Sequence, residues 1–183
     1  PARATSRSKS KCWWNMRADA AYRFAGQESV PSPQLVYYPE ILRRNIARMV
    51  EMAGGPQRLW PHIKTYKMEP VLQLLMQAGV RRFKCATIAE LELAVRAGAE
   101  AALLAYPLVG PNIGRFLAVC RDFPQTKLYA IADDTHQAEL LGARAAELGL
   151  TVRLLMDIDM GQHRTGVLPE RAAELYRCWS GLE

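Results

Sequence analysis

Five short runs rich in apolar, β-branched or aromatic residues begin near residues 59, 83, 102, 128 and 152, and each is followed by a stretch of helical period. One unit thus recurs about every 24 residues. Strand Leu59–Ile63 precedes helix Glu69–Ala78, and strand Phe83–Ala86 precedes a helix stopped by Gly98. Strand Ala101–Tyr106 leads through Pro107–Gly110 into helix Pro111–Phe123. Strand Lys127–Ala132 leads to a helix ending at Leu148. Strand Thr151–Ile158 leads through a glycine-containing loop, Asp159–Gly166, to a last helix from Pro169 to about Trp179. Repeated strand-then-helix order means a parallel α/β sheet joined by helical crossovers. Five units fit an open doubly wound sheet, and they also fit part of an eight-unit barrel. The period does not decide between the two.

Upstream, Gln34–Tyr38 reads as a short strand. Pro39-Glu40 then opens a helix to about Ala53, with Leu42, Ile46, Met49, Val50 and Ala53 as its apolar stripe and Gly54-Gly55-Pro56 as its stop. Thr87, with Glu90 three residues later, is a capping box, and Asp133-Asp134-Thr135 is a second capping sequence.

In either α/β architecture the functional groups gather at the C-terminal ends of the strands. The residues there include His62, Lys64 and Tyr66, then Asp133 and Asp134, then Asp157, Asp159, His163 and Arg164. Strand alternation over Arg58–Lys67 (RLWPHIKTYK) puts His62, Lys64 and Tyr66 on one face and Ile63, Thr65 and Lys67 on the other. A lysine on the inward face of a strand is costly unless its charge is used or relieved. A partly desolvated lysine beside a second cation becomes a nucleophilic amine, and Lys67 and His62 are the expected neighbours of Lys64. The competing reading is a lysine that reaches solvent or pairs with a carboxylate. No GxGxxG, GxxxxGK[ST] or HExxH sequence occurs, so the common dinucleotide, P-loop and zinc-protease sites have no motif here.

PHIKTYK resembles the PHxKTxK segment of the D-threonine aldolase and D-serine dehydratase-like family, and LLMDIDMGQHRTGV resembles that family's DxDxGxxRxG loop. PQLVYYPEILRRNIARM, FKCATIAELELAVRAGA and LLAYPLVGPNI extend the resemblance over about Ser32 to Arg177. It implies the pyridoxal-phosphate (PLP) barrel of alanine racemase type, a (β/α)8 fold cut here after about five units, with the family's C-terminal β-domain absent. It implies Lys64 as the Schiff-base lysine and Arg164 near the cofactor ring and its phenolic oxygen. It places His62 beside the cofactor or orienting Lys64. The activity implied is that of a lyase acting on D-3-hydroxyamino acids. A racemase-like enzyme, a PLP carrier, or an inactive fragment needing a partner are the alternatives. The partner would be a second copy or a complementing C-terminal fragment. The family's divalent metal is expected to be held by residues beyond this sequence, as is the cofactor phosphate, so no metal ligand is assigned. Tyr66 stands where the family usually has histidine, which leaves the substrate open.

The formal net charge is +6, but residues 1–25 hold six cations and one acid, against 18 cations and 17 acids in the rest. The basic balance belongs to the leader and gives no reason to expect nucleic-acid binding by the folded part. Residues 1–30 are expected to be a disordered leader or arm, docked if at all by Trp13, Trp14, Tyr22 and Phe24; residues 31–183 are the partial barrel. Cys12, Cys85, Cys120 and Cys178 lack zinc spacing and read as reduced thiols. No run is long and apolar enough for a bilayer, so a cytoplasmic protein is expected.

Overall fold

The computed structural model describes residues 22–180. The leader expected over 1–30 lies outside the described residues up to position 21, as do Trp13 and Trp14. By internal contacts the chain divides into two units, residues 1–42 and 43–183. Within the first, the Tyr22 and Tyr38 rings meet edge to face with centroids 5.6 Å apart, and Phe24 lies 6.5 Å from the same ring. Tyr22 and Phe24 thus both meet Tyr38 within this unit. Gln34–Tyr38 is not a strand: it makes no ladder and runs as coil into helix α1, Pro39–Ala53.

The second unit carries four parallel strands. They are β1 Arg82–Cys85, β2 Ala101–Leu104, β3 Lys127–Ala132 and β4 Arg153–Met156. Helices α2 Glu69–Gln77, α3 Ile88–Arg96, α4 Pro111–Asp122, α5 Thr135–Glu147 and α6 Pro169–Trp179 alternate with them. The strand order is β1-β2-β3-β4, every pairing parallel. A doubly wound sheet reverses direction at a switch point, whereas sequential order is that of a barrel wall. The helices pack in the same succession, each of α2 to α6 against the next. This settles the alternative that the period left open, in favour of a barrel segment.

Alternation along the strands explains which side the helices cover. Phe83 and Cys85, Ala102 and Leu104, and Leu128, Ala130 and Ala132 are buried, at matched register positions. Helix residues Leu72, Leu91, Phe116, Leu117 and Leu141 are buried too. Each fully buried large side chain contributes roughly 1.5–3 kcal/mol. The intervening positions form the opposite, half-open face, where Lys84, Leu103, Tyr129 and Arg153 stand in one register row. Trp60 packs edge to face on Tyr129 at 5.7 Å, and the Arg82 guanidinium lies 5.8 Å from the Trp60 ring centre.

The first expected strand is corrected. Leu59–Ile63 makes one parallel bridge, His62 to Lys84, and then turns at Ile63–Thr65 in a single 3-10 turn. Four described strands therefore replace the five expected, and the face assignment for residues 62–67 does not hold. Ile63 is fully buried, while Lys64 and Thr65 are exposed. No described helix is long and apolar enough to cross a membrane.

Burial separates the cysteines. It pushes the Cys85 thiol up to about 12, with Glu90 adding to the effect, and pushes Cys120 to about 11. A thiol that stays protonated is a poor nucleophile. At pH 8 the native chain should therefore be alkylated at exposed Cys178 and spared at Cys85, read by peptide mass spectrometry. Equal labelling of the two would contradict this packing.

Candidate functional site

The turn that presents Lys64 is pinned at both ends. At its start the His62 backbone bridges β1, and the Lys84 amide donates to the Pro61 carbonyl at 3.0 Å. The His62 side chain then closes the turn, its Nδ1 accepting from the Lys64 amide at 3.3 Å. At its end the Tyr66 and Lys67 amides both donate to the Ile63 carbonyl, at 3.2 and 2.9 Å. Ile63 anchors the whole in the core. An exposed lysine thus sits on a fixed backbone at the C-terminal end of β1.

Burial lowers the His62 pKa, and the Lys64 and Lys84 ammonium groups lower it further, against an opposing pull from Glu90. The neutral imidazole is favoured in the folded chain. Because the folded pKa lies below the ordinary 6.5, the unfolded chain takes up this proton first on acidification. The stability that depends on neutral His62 is present above pH 6.5 and is lost as pH falls below it. A His62→Asn variant, whose amide oxygen can still accept from Lys64, should show a smaller loss of thermal stability between pH 7 and 5. An unchanged slope would show that His62 titrates as it does in the unfolded chain.

Lys67, the expected cationic neighbour of Lys64, has a carboxylate partner of its own. Lys67 takes a left-handed backbone (φ +47°), and its Nζ pairs with Glu90 Oε1 at 3.3 Å. Its charge is answered by that carboxylate. Lys84, on the open face of β1, joins Lys64 in acting on His62. Tyr66 is half-buried, its hydroxyl has no hydrogen-bond partner among the described residues, and burial raises its pKa.

The second motif forms a closed loop after β4. The Asp159 amide donates to the Val167 carbonyl and the Val167 amide to the Asp157 carbonyl, both at 2.9 Å. Inside it Asp159 accepts from the amides of Gly161 and His163 at 2.9 Å, and its other oxygen meets His163 Nδ1 at 2.8 Å. These bonds, the His163 amide first, hold the Asp159 carboxyl below its usual range. Asp133 Oδ2 accepts from the Gly166 amide at 2.8 Å, tying the loop to the end of β3, while Asp134 caps α5 through the Gln137 amide. Asp133 is therefore a loop tether and only Asp134 a cap. His136, beside it, is exposed. Arg164 is exposed and makes no ion pair among the described residues, so the expected competitor for it, a bridge to Asp157 or Asp159, does not form.

Lys64 and His62 are thus together, and Arg164 is not beside them. All three lie at one end of the sheet, but the bridge at His62 and the loop after β4 flank opposite edges. Four strand spacings separate them, about 19 Å along the sheet before curvature. A ligand touching both must lie across the open end.

With this geometry in place, the comparisons are specific. Residues 39–182 match the alanine racemase N-terminal domain family. The chain belongs to that family, whose fold is the pyridoxal-phosphate barrel of alanine racemase type. It is 31% identical over 140 residues to D-threo-3-hydroxyaspartate dehydratase of Delftia sp. (strain HT23), a match covering 76% of this chain and 36% of the relative. D-threonine aldolase from Filomicrobium marinum superposes with TM-score 0.75 at 25% identity, over 86% of this chain and 42% of that one. The Delftia dehydratase structure superposes with TM-score 0.67 at 29% identity, over 75% and 36%. The chain spans less than half the length of these relatives.

The residues present fit pyridoxal phosphate. Lys64 offers an exposed primary amine on a hydrogen-bonded turn, Lys64 and Lys84 both act on His62, and Glu90 pairs with Lys67. That balance favours an anionic aldehyde. Among the described residues no group of three or more His, Cys, Asp or Glu is placed to hold a metal ion.

Glu90 is the residue that sequence reasoning missed. Only half of the expected capping box forms: Thr87 Oγ1 accepts from the Glu90 amide at 3.2 Å. The Glu90 carboxylate, however, goes to the Ala86 amide and to Lys67. Its spacing from Thr87 signals a cap and carries nothing about the lysine turn.

Proposed function

We propose that this chain carries the cofactor lysine of a PLP-dependent lyase acting on D-3-hydroxyamino acids. The observation that carries the reading is Lys64, exposed and fixed at the C-terminal end of β1 within the PHIKTYK turn. The names of the relatives, one a dehydratase and one an aldolase, supply the reaction class. Lys64 Nζ would hold the cofactor aldehyde covalently. Neutral His62 would keep the turn closed through Nδ1. Arg164 would face the phenolic oxygen, where a guanidinium donates hydrogen bonds but does not accept a proton. When bound, the cofactor supplies an electron sink for negative charge at Cα. The dependent steps differ in product: aldol cleavage releases glycine and an aldehyde, and loss of water followed by hydrolysis releases a 2-keto acid and ammonia. A homodimer or a complementing chain is the proposed assembly, and a cytoplasmic setting suits a reduced-thiol, PLP-using protein.

The test is product analysis of the chain with PLP and, in turn, D-threonine, D-serine, D-threo-3-hydroxyaspartate and D-alanine. Glycine or a keto acid from the hydroxylated substrates supports a lyase. Racemised alanine with no cleavage would favour the racemase reading, and no product with retained cofactor would favour the carrier.

A further inference from the structure

We propose that Glu90 is a positioning residue for Lys64, acting through Lys67; this rests on the reading of Lys64 as the cofactor lysine. Glu90 is 3% exposed, yet it stands on α3 facing two other segments. Its Oε2 accepts from the Ala86 amide at 2.7 Å, holding the residue that follows β1. Its Oε1 meets Lys67 Nζ at 3.3 Å, off the hydrogen-bonding direction, so that oxygen has no hydrogen-bond donor. One carboxylate therefore links the end of β1, the start of α3 and the residue that closes the Lys64 turn.

The energetics favour a device over a chance contact. A buried carboxylate with one donor and one partly exposed cation is costly, and a cap alone needs no such burial. Lys67 occupies the left-handed region, where a side chain other than glycine's is uncommon and needs surrounding contacts to hold it. The Lys67 amide donates to the Ile63 carbonyl, so the conformation that Glu90 holds is the one that closes the turn over Lys64. Glu90 also pairs with Lys67 Nζ, and through that pair it holds the turn that carries Lys64.

The experiment compares wild type, Glu90→Gln, Lys67→Met and Lys67→Arg in the 183-residue chain, with Lys64→Ala as control. The first readout, without cofactor, is the pH dependence of Lys64 modification by an amine-reactive reagent, quantified by peptide mass spectrometry. The second is the yield of PLP fixed on Lys64 by borohydride. Glu90→Gln and Lys67→Met should each shift the modification profile and lower the fixed yield by about tenfold or more, as misplacement of a reacting group does. Lys67→Arg should restore both. If Glu90→Gln fails to fold, the surface change Lys67→Met decides. Unchanged profiles in folded variants, with wild-type label on Lys64, overturn the positioning role alone. Wild-type label absent from Lys64 overturns the cofactor-lysine reading, and the positioning role with it.

Discussion

Lys64→Ala should abolish retention of PLP after borohydride reduction and dialysis, while leaving the circular dichroism and thermal transition of the chain unchanged. The side chain is exposed and the turn is held by backbone bonds, by Ile63 and by His62, none of which uses the Lys64 amine. Surface substitutions of this kind change stability by about 0.5 kcal/mol or less. The effect on retention should be complete, since no other amine is held in the same turn with its charge unanswered; Lys67 is tied to Glu90. Retention equal to wild type would mean that another lysine captures the aldehyde.

The largest effect on architecture should come from Gly166→Ala. The backbone there has φ +103°, and an added Cβ would sit 2.5 Å from the Asp159 nitrogen and 2.8 Å from the Ile158 carbonyl carbon. Both are backbone atoms inside the bridge between Ile158 and Val167, so they cannot swing aside as a side chain would. Relief requires opening that bridge, and the Gly166 amide bond to Asp133 is then lost too. Strained backbone and overpacking each cost about 1–3 kcal/mol, so roughly 2–6 kcal/mol is expected in total. Melting of the loop alone would show instead as fast amide exchange over residues 157–167 with a smaller fall in melting temperature. Either result displaces Arg164. A variant with unchanged exchange and melting would show that the loop is not closed in this way.

The parallel sheet, its helices and most of their ends were legible because they depend on local chemistry. Glycine stops, the Thr87 and Asp134 caps, and the apolar stripe of α1 each act within a few residues. Lys127–Ala132 has the expected bounds because its alternation is uninterrupted over six residues. What failed did so where a proline, a side-chain bond two residues along the chain, or the lack of a ladder partner overruled the apolar pattern. The apolar run from Leu59 reads as a strand, but Pro61 has no amide hydrogen for a ladder, and the His62 side chain captures the Lys64 amide. The chain turns there and the alternation ends. Gln34–Tyr38 has strand-like residues but finds no ladder partner.

The site was legible in the same divided way. Lys64 and Arg164 stand in recognisable motifs, and both are exposed at the end of the sheet where α/β proteins place their chemistry. The partners were not legible. Lys84 precedes α3 by only a few residues, yet it reaches His62 through strand pairing; Glu90 answers Lys67 across 23 positions of sequence. Asp133 reads as one half of a capping pair and acts on Gly166, 33 residues away. Such contacts exist only once the sheet has formed.

The decisive measurement is the site of PLP attachment in the wild-type chain, mapped by borohydride reduction, proteolysis and tandem mass spectrometry over every lysine. A single phosphopyridoxyl group on Lys64 is the predicted result. Attachment at Lys67 or Lys84, or spread over the surface lysines in proportion to exposure, would refute the assignment.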